Sequence, residues 1–141
     1  MMKKTLTSAL LLLLALLMSV SFVACADVEV TGIWENATCT SDKKFGNGAK
    51  TVEVEIKAEN QSITFTLETD KETLSEALEE HDLISGTESQ WGLTLETVNG
   101  MYANADDGYW WIITKDGEWT DAIDAVTIAD GDHYEFTYTK Y

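Results

Sequence analysis

An aromatic cluster is the part of this chain whose side chains are best suited to binding. Tyr109, Trp110 and Trp111 are consecutive, and Trp119 follows beyond an Asp-Gly turn. Because neighbouring residues of a strand face opposite sides, Trp110 and Trp111 cannot both enter a core on one face. One of them is expected to pack under a covering helix, and the other to stand on the open face. Core packing and a stacking platform for a ligand are the two interpretations of this cluster.

The residues that could perform catalysis are not grouped as an enzyme requires. Cys39 is the only thiol outside the N-terminal segment, and both histidines, His81 and His133, lie far from it in sequence. A cysteine nucleophile needs a base beside it. No phosphate-binding loop or metal-ligand spacing is visible. The sequence therefore predicts a protein that is not an enzyme, with no catalytic residues, no cofactor and no metal site.

The segment Asn104–Gly108 places oxygen-bearing side chains at alternate positions, as a calcium loop does. It lacks the later bidentate glutamate of an EF-hand loop. Asn, Asp and Gly are also the usual residues of a turn. The sequence predicts a turn here and leaves calcium binding open.

The first 25 residues have the layout of a secretory signal peptide. Two lysines precede an apolar run from residue 6 to 18, and small residues follow up to Cys25. The run is shorter than the ~20 residues of a membrane span. Phe22–Cys25 resembles a bacterial lipobox, which predicts lipidation of Cys25 and an extracytoplasmic protein anchored to the cell membrane. The alternative is cleavage at Ala26, which would release a soluble secreted protein.

Acidic residues dominate the rest of the chain. All 25 lie after position 26, with only seven lysines and no arginine, so this part carries a net charge of −18. So acidic a surface repels phosphate groups, and nucleic acid is therefore not an expected partner. About 115 residues remain after the signal, enough for one domain with a core.

The first predicted elements are two strands and one helix. Residues 51–57 and 62–68 alternate apolar and polar side chains, with a turn at Asn60-Gln61, and so form a hairpin. The pattern Thr69–Glu72 is typical of a capping box that opens a helix from about Lys71 to Leu83. Its apolar side recurs at helical spacing, at Leu74, Ala77 and Leu78.

Strands are predicted again after the helix. Leu93–Thr97 is followed by an Asn-Gly hairpin signal, and Tyr109–Lys115 and Tyr134–Thr139 complete the set. The expected fold is α+β, a β-grasp-like mixed sheet of about five strands with one amphipathic helix packed on one face. Residues 26–50 are expected to be a tether or a short edge strand before a folded domain over residues 51–141.

Three segments together resemble the transcobalamin-like C-terminal domain family. They are residues 69–78, the pair Tyr109-Trp110, and residues 128–136 with their Asp-Gly-Asp turn; the lead-in Ile33–Thr38 is similar as well. The resemblance spans residues 34–140. It implies the small β-rich domain that closes over the corrin ring in animal cobalamin carriers, with bacterial members that are secreted or lipid-anchored. In those carriers a larger helical domain supplies much of the pocket, and none is expected from this sequence.

The expected function is that of an extracytoplasmic ligand-binding module. Its binding residues are predicted to be Tyr109, Trp110, Trp111 and Trp119, and its ligand a corrinoid or another flat small molecule. The alternative is a cell-surface interaction or adhesion domain, in which a partner protein adds a strand to an exposed sheet edge. A concave aromatic pocket would favour the small ligand, whereas a flat open edge would favour the partner chain.

Overall fold

The computed structural model describes residues 27–141, which fold into two sheets, one short α-helix and three single 3-10 turns. The mixed α+β class is confirmed. The helix, α1, is Leu74–Glu79, and the 3-10 turns are Gly32–Asn36, Ala105–Asp107 and Ile123–Ala125. The strands are β1 Lys43–Gly46, β2 Lys50–Ala58, β3 Gln61–Thr69, β4 Ile84–Ser89, β5 Gly92–Val98, β6 Met101–Tyr102, β7 Tyr109–Lys115, β8 Glu118–Trp119 and β9 His133–Lys140.

The larger sheet is mixed, with six strands in the order β1-β3-β2-β9-β7-β8. The predicted β2–β3 hairpin is confirmed, with Val54 opposite Phe65. Its turn lies one residue earlier than predicted, because Glu59 and Asn60 take the left-handed backbone and Gln61 already pairs. β2 is parallel to β9, and β1 is parallel to β3.

Strand alternation gives this sheet a covered face and an open face. The covered face carries the largest buried side chains of β2, β3 and β9, and these form the core: Val52, Val54, Ile56, Phe65, Leu67, Tyr134 and Phe136. The open face carries the alternate residues of β2 and β9, among them Glu53, Glu55 and Glu135. The core therefore lies between the covered face and the elements packed on it.

The helix is six residues long, about half the predicted length, and its N-cap is not the one expected. Thr73 is the cap, since its hydroxyl accepts from the Glu76 N–H at 3.4 Å while Glu76 accepts from the Thr73 N–H at 3.3 Å. Residues 72–74 first pair with residues 126–128, which delays the helix. Asp82, with a φ of 56°, ends the helical region early. The predicted apolar side of the helix is buried as expected.

A second sheet, of β4, β5 and β6, was not predicted, since about five strands in one sheet were expected. β4 is polar from Ser85 onward and bulges at Ser85/Gly86, so it has no apolar alternation to find. The β5–β6 hairpin at Asn99-Gly100 is confirmed, with φ of 53° and 80° at its two turn residues. A Cβ at Gly100 would lie 2.5 Å from the Asn36 carbonyl oxygen, so glycine also permits this close approach.

The segment before β2 packs against the same core. Trp34 is fully buried, and its indole N–H donates to the Ala58 carbonyl at 3.0 Å. The buried Asn99 side chain accepts from the Cys39 N–H at 2.9 Å and donates to the Cys39 carbonyl at 2.8 Å. The two bonds of Asn99 join the N-terminal segment to the β5–β6 hairpin. After them, β1 forms a short strand at the edge of the larger sheet.

Candidate functional site

The strand β7 separates the two adjacent tryptophans onto opposite faces. Trp111 faces the core, is 6% exposed, and donates its indole N–H to the Met101 carbonyl at 3.2 Å. Its ring lies 5.4 Å from that of Tyr138, centroid to centroid. The element that covers Trp111 is therefore β6 of the second sheet, where a helix was expected.

Trp110 lies on the other face and belongs to an aromatic cluster of its own. Its ring centroid is 5.3 Å from that of Trp119 and 6.0 Å from that of Tyr141. The Trp110 indole nitrogen is buried and has no hydrogen-bond partner among the described residues. Trp119, by contrast, is 67% exposed, so its ring covers Trp110 and faces solvent.

Tyr109 does not join this cluster, because it shares the core-side parity of Trp111. It stacks on Tyr138 with a centroid distance of 4.9 Å and an angle of 8° between the rings. The Lys140 ammonium lies 5.1 Å from the centre of the Tyr109 ring. Burial, with Tyr109 and the nearby carboxylates Glu59 and Asp107, raises the pKa of Tyr138. Of the four predicted binding residues, the structure thus brings Trp110 and Trp119 into ring contact and leaves Tyr109 apart.

A cleft of about 290 Å³ runs along the edge of β7. It exists because β8 pairs with β7 only at Thr114 and Lys115, so no other strand of residues 27–141 lies beside the edge beyond this point. β5 of the second sheet forms the opposite wall. The lining residues are Leu93, Thr94, Leu95, Trp110, Trp111, Ile112, Ile113, Trp119, Thr120, Asp121, Ala122 and Ile123.

The cleft is mainly apolar and is bordered by acidic groups. Asp121 lies in its lining, while Asp124 accepts from the Leu93 N–H at 3.3 Å and so ties β5 to the Ile123–Ala125 turn. No lysine lines it. A larger hollow, of about 480 Å³, lies at the β2–β3 turn, but its lining is mostly polar and Tyr138 is its one aromatic residue. The β7 cleft is therefore concave and lined by aromatic side chains, the geometry that favours a small ligand.

An ion-pair network fixes the far end of β7 against β9. The Asp132 carboxylate accepts from the Tyr134 hydroxyl at 2.8 Å and the Ala129 N–H at 2.9 Å, and lies 3.1 Å from the Lys115 ammonium. Burial alone would raise the pKa of Asp132, but these three donors together lower it below its ordinary value. Burial and the Asp132 charge raise the pKa of Tyr134. These contacts tie the Asp-Gly-Asp turn to the end of β7, next to the turn that leads into β8.

A second group of side chains, which was not predicted from the sequence, lies on the open face of the large sheet. Glu55, His133 and Glu135 offer ligand atoms that all lie within 4.8 Å of one another. His133 Nε2 is 3.6 Å from a Glu55 carboxylate oxygen, and His133 Nδ1 is 3.2 Å from one of Glu53. Strand alternation places Glu53 and Glu55 on one face of β2, and His133 and Glu135 on one face of β9. Only the parallel β2–β9 pairing, which no local pattern specifies, brings the side chains of the two strands together.

The Asn104–Gly108 segment is a turn, as predicted. The Asn104 side chain accepts from the Asp106 N–H at 3.0 Å and donates to the Asp107 carboxylate at 2.8 Å. Gly108 closes the turn with a φ of 84°. The Asn104 amide oxygen and one Asp107 carboxylate oxygen therefore bond within the turn itself.

The predicted lipidation site, Cys25, lies outside the described residues. Within residues 27–141, no helix has the length and apolar character needed to span a membrane. The anchoring of this chain consequently remains a prediction from the sequence of its first 25 residues.

Comparisons with known proteins identify relatives among solved structures. No family model matches the chain, and no curated protein matches it. The structure of haptocorrin in complex with Cbi is 19% identical, with a TM-score of 0.56 over 69% of this chain. The chain covers 27% of the haptocorrin chain, so this likeness concerns one part of that protein and shows the fold.

A second solved structure is more similar in sequence. It is described as that of a "putative metal binding protein" from Ruminococcus gnavus ATCC 29149, and it is 30% identical with a TM-score of 0.64. The match covers 66% of this chain and 99% of that one. Because nearly the whole of that protein aligns at this identity, the chain belongs to the same family as the Ruminococcus gnavus protein.

Proposed function

We propose that this chain is a ligand-binding module, without catalytic activity, whose β7 cleft takes the face of a flat and largely apolar molecule. The observation that carries the proposal is the pairing of Trp119 with Trp110. One indole is two-thirds exposed beside an apolar cleft, and the other holds an indole N–H that has no partner among the described residues. An exposed aromatic ring offers a stacking surface, whereas the buried Trp110 N–H becomes available to a ligand only when the side chains around it move.

The size of the cleft limits how tightly a ligand can be held. At about 290 Å³ it lies at the small end of ligand sites, which span ~300–1,000 Å³. A flat molecule larger than this would rest one face on Trp119 and leave its other face in solvent. Since only part of its surface is desolvated, we expect a dissociation constant of ~10 μM to 1 mM.

A corrinoid is the first ligand to test. Three features support it: the aromatic cleft, the fold shared with part of a corrinoid-bound protein, and the sequence resemblance to the transcobalamin-like family. The corrin ring is flat and apolar over much of its face, which suits stacking on the exposed Trp119 ring. Residues 27–141 would cover one side of such a ring.

The test is equilibrium dialysis of the protein against cobinamide and cobalamin, read by the absorbance of the corrinoid itself. We expect saturable binding of cobinamide, weakened at least tenfold by Trp119→Ala. Trp91→Ala is the matched control, because Trp91 is 83% exposed but does not line the cleft, and it should bind as the wild type does. Absence of saturable binding at millimolar cobinamide, or equal losses in both variants, would refute the corrinoid proposal.

We also propose that the module works outside the cytoplasm, anchored by a lipid on Cys25. The support is the charged, apolar and small-residue order of the first 25 residues. Cys25→Ser should move the protein from the membrane fraction into the medium or leave it uncleaved. A variant that is processed and fractionates like the wild type would favour cleavage at Ala26.

Divalent-cation binding at Glu55, His133 and Glu135 is a second candidate function. It is supported by their ligand atoms lying within 4.8 Å, and by the name given to the Ruminococcus gnavus relative. Two carboxylates and an imidazole suit zinc and similar ions. Lys57 opposes this, because its ammonium lies 3.1 Å from Glu135 and 3.9 Å from Glu55.

Calorimetric titration with Zn²⁺ can test whether Lys57 competes with the ion for these carboxylates. Lys57→Met should raise the affinity severalfold, since it frees both carboxylates, whereas His133→Asn should abolish binding. If Lys57→Met leaves the affinity unchanged and His133→Asn retains it, the ion binds elsewhere and this second candidate fails.

A further inference from the structure

The edge of β7 that borders the cleft presents unpaired backbone groups. Thr120 donates its N–H to the Ile113 carbonyl at 3.1 Å, so the odd-numbered residues of β7 direct their backbone groups away from β9. The Tyr141 N–H donates to the Gly108 carbonyl at 3.0 Å, which places the even-numbered residues on the β9 side. Trp111 therefore points its N–H and C=O into the cleft, where no backbone partner lies among the described residues.

The other sheet edges within residues 27–141 carry features that discourage further pairing. β1 has two lysines among its four residues, β4 bulges at Ser85/Gly86, and β6 and β8 are each two residues long. Lysines, bulges and short length are the usual protections of a sheet edge. β7 has none of them between Trp110 and Ile113, where it is regular and apolar.

Charge indicates what kind of chain could pair here. The described residues hold 25 acids against seven lysines, and the lining of the cleft holds Asp121 and no lysine. A second copy of this protein would bring the same charge and be repelled. A segment with lysine or arginine at alternate positions would be attracted, and its apolar side chains could meet Leu93 and Leu95 across the cleft.

We propose that β7 accepts a basic, extended segment of another protein as an added strand. The segment lies beyond Thr120 in line with β8, and its backbone pairs with Trp111. The proposal does not depend on the small-molecule ligand, but both would occupy the cleft, so a flat ligand and the segment should compete.

The probe is a seven-residue peptide of alternating lysine and valine, blocked at both ends, with calorimetry for binding and hydrogen exchange for the Trp111 amide. We expect saturable binding and at least tenfold slower exchange of that amide. The same peptide with two adjacent central amides N-methylated keeps its charge and side chains but cannot pair, so it should not protect the amide. A peptide with glutamate in place of lysine should not bind.

Two charge variants locate the site. Asp121→Lys should weaken binding at least fivefold. Glu35→Lys makes the same change of charge at an exposed residue outside the cleft, and should weaken binding much less. Absence of peptide binding at millimolar concentration, equal losses in both variants, or binding that survives N-methylation would overturn the proposal. Protection of Trp111 that grows with protein concentration alone would make a second copy the occupant, and would also overturn it.

These outcomes are separable from those of the proposed function. Cobinamide that binds without slowing exchange at Trp111, while the peptide fails, would support the small-ligand function and reject strand addition. Protection by the peptide, with no corrinoid binding, would do the reverse.

Discussion

The two faces of the β7–β9 ladder differ in how completely their polar groups are paired. On the core face, the Trp111 indole bonds to Met101, and the Tyr134 hydroxyl bonds to Asp132. On the open face, the Trp110 indole nitrogen is buried without a partner within residues 27–141, and Trp119 is two-thirds exposed. The adjacent residues Trp110 and Trp111 thus differ in whether their indole N–H groups are hydrogen-bonded. Pairing on the core face stabilises the fold, and the incomplete pairing on the open face is where a ligand could add contacts.

The largest expected difference between the faces is in stability. Trp111→Ala removes a buried ring and its hydrogen bond, and should lower the free energy of unfolding by ~3–5 kcal/mol. Trp110→Ala should cost no more than ~1–2 kcal/mol, because that ring is only partly buried. Urea unfolding followed by circular dichroism measures both. Equal losses would mean that the two faces are equally packed.

A smaller effect, dependent on pH, is expected from Asp132 on the core face. Asp132→Asn should cost ~1–2 kcal/mol at pH 7, since the carboxylate accepts from Tyr134 and pairs with Lys115. The folded pKa is lowered from 3.8, so the carboxylate's contribution is complete above that pH and is lost as the pH falls through the folded pKa.

Unfolding at a series of pH values tests whether the contribution of Asp132 to stability decreases as the pH falls. The difference between the wild type and Asp132→Asn should be constant above about pH 5 and close progressively below about pH 4. Tyr134→Phe, which removes one donor to the carboxylate, should show a reduced form of the same pH dependence. A difference that widens on acidification would contradict the lowered pKa.

The last comparison replaces each indole by a phenyl ring, and its Trp110 variant has the smallest expected effect. Trp111→Phe breaks the bond to Met101 and should cost ~1–2 kcal/mol, since a buried carbonyl loses its donor. Trp110→Phe removes a donor that has no partner in the described part of the chain, and should change stability by less than ~0.5 kcal/mol. A larger loss for Trp110→Phe than for Trp111→Phe would show that the Trp110 N–H is paired in solution.

Much of the fold was predictable because its patterns are local. The β2–β3 alternation, the apolar side of α1 and the Asn99-Gly100 turn each depend on residues close in sequence, and each was predicted. Strand geometry alone predicts that Trp110 and Trp111 face opposite sides of the sheet.

The features that were missed depend on residues distant in sequence. Residues 72–74 pair with 126–128 and so move the helix cap from Thr69 to Thr73. The polar strand β4 forms only because β5 lies beside it, and the parallel β2–β9 pairing unites Glu55 with His133. The shortness of β8, which opens the cleft, likewise has no local signal.

The indole N–H resonances of the five tryptophans, observed by NMR during addition of cobinamide, test the central claim most directly. The account predicts that the Trp110 and Trp119 signals shift together and saturate. The Trp34 signal, from an indole fully buried and bonded to Ala58, should stay fixed. Assignment by single Trp→Phe variants identifies each signal. Shifts at Trp34 or Trp91 without shifts at Trp110 and Trp119, or no saturable shift at all, would contradict the account.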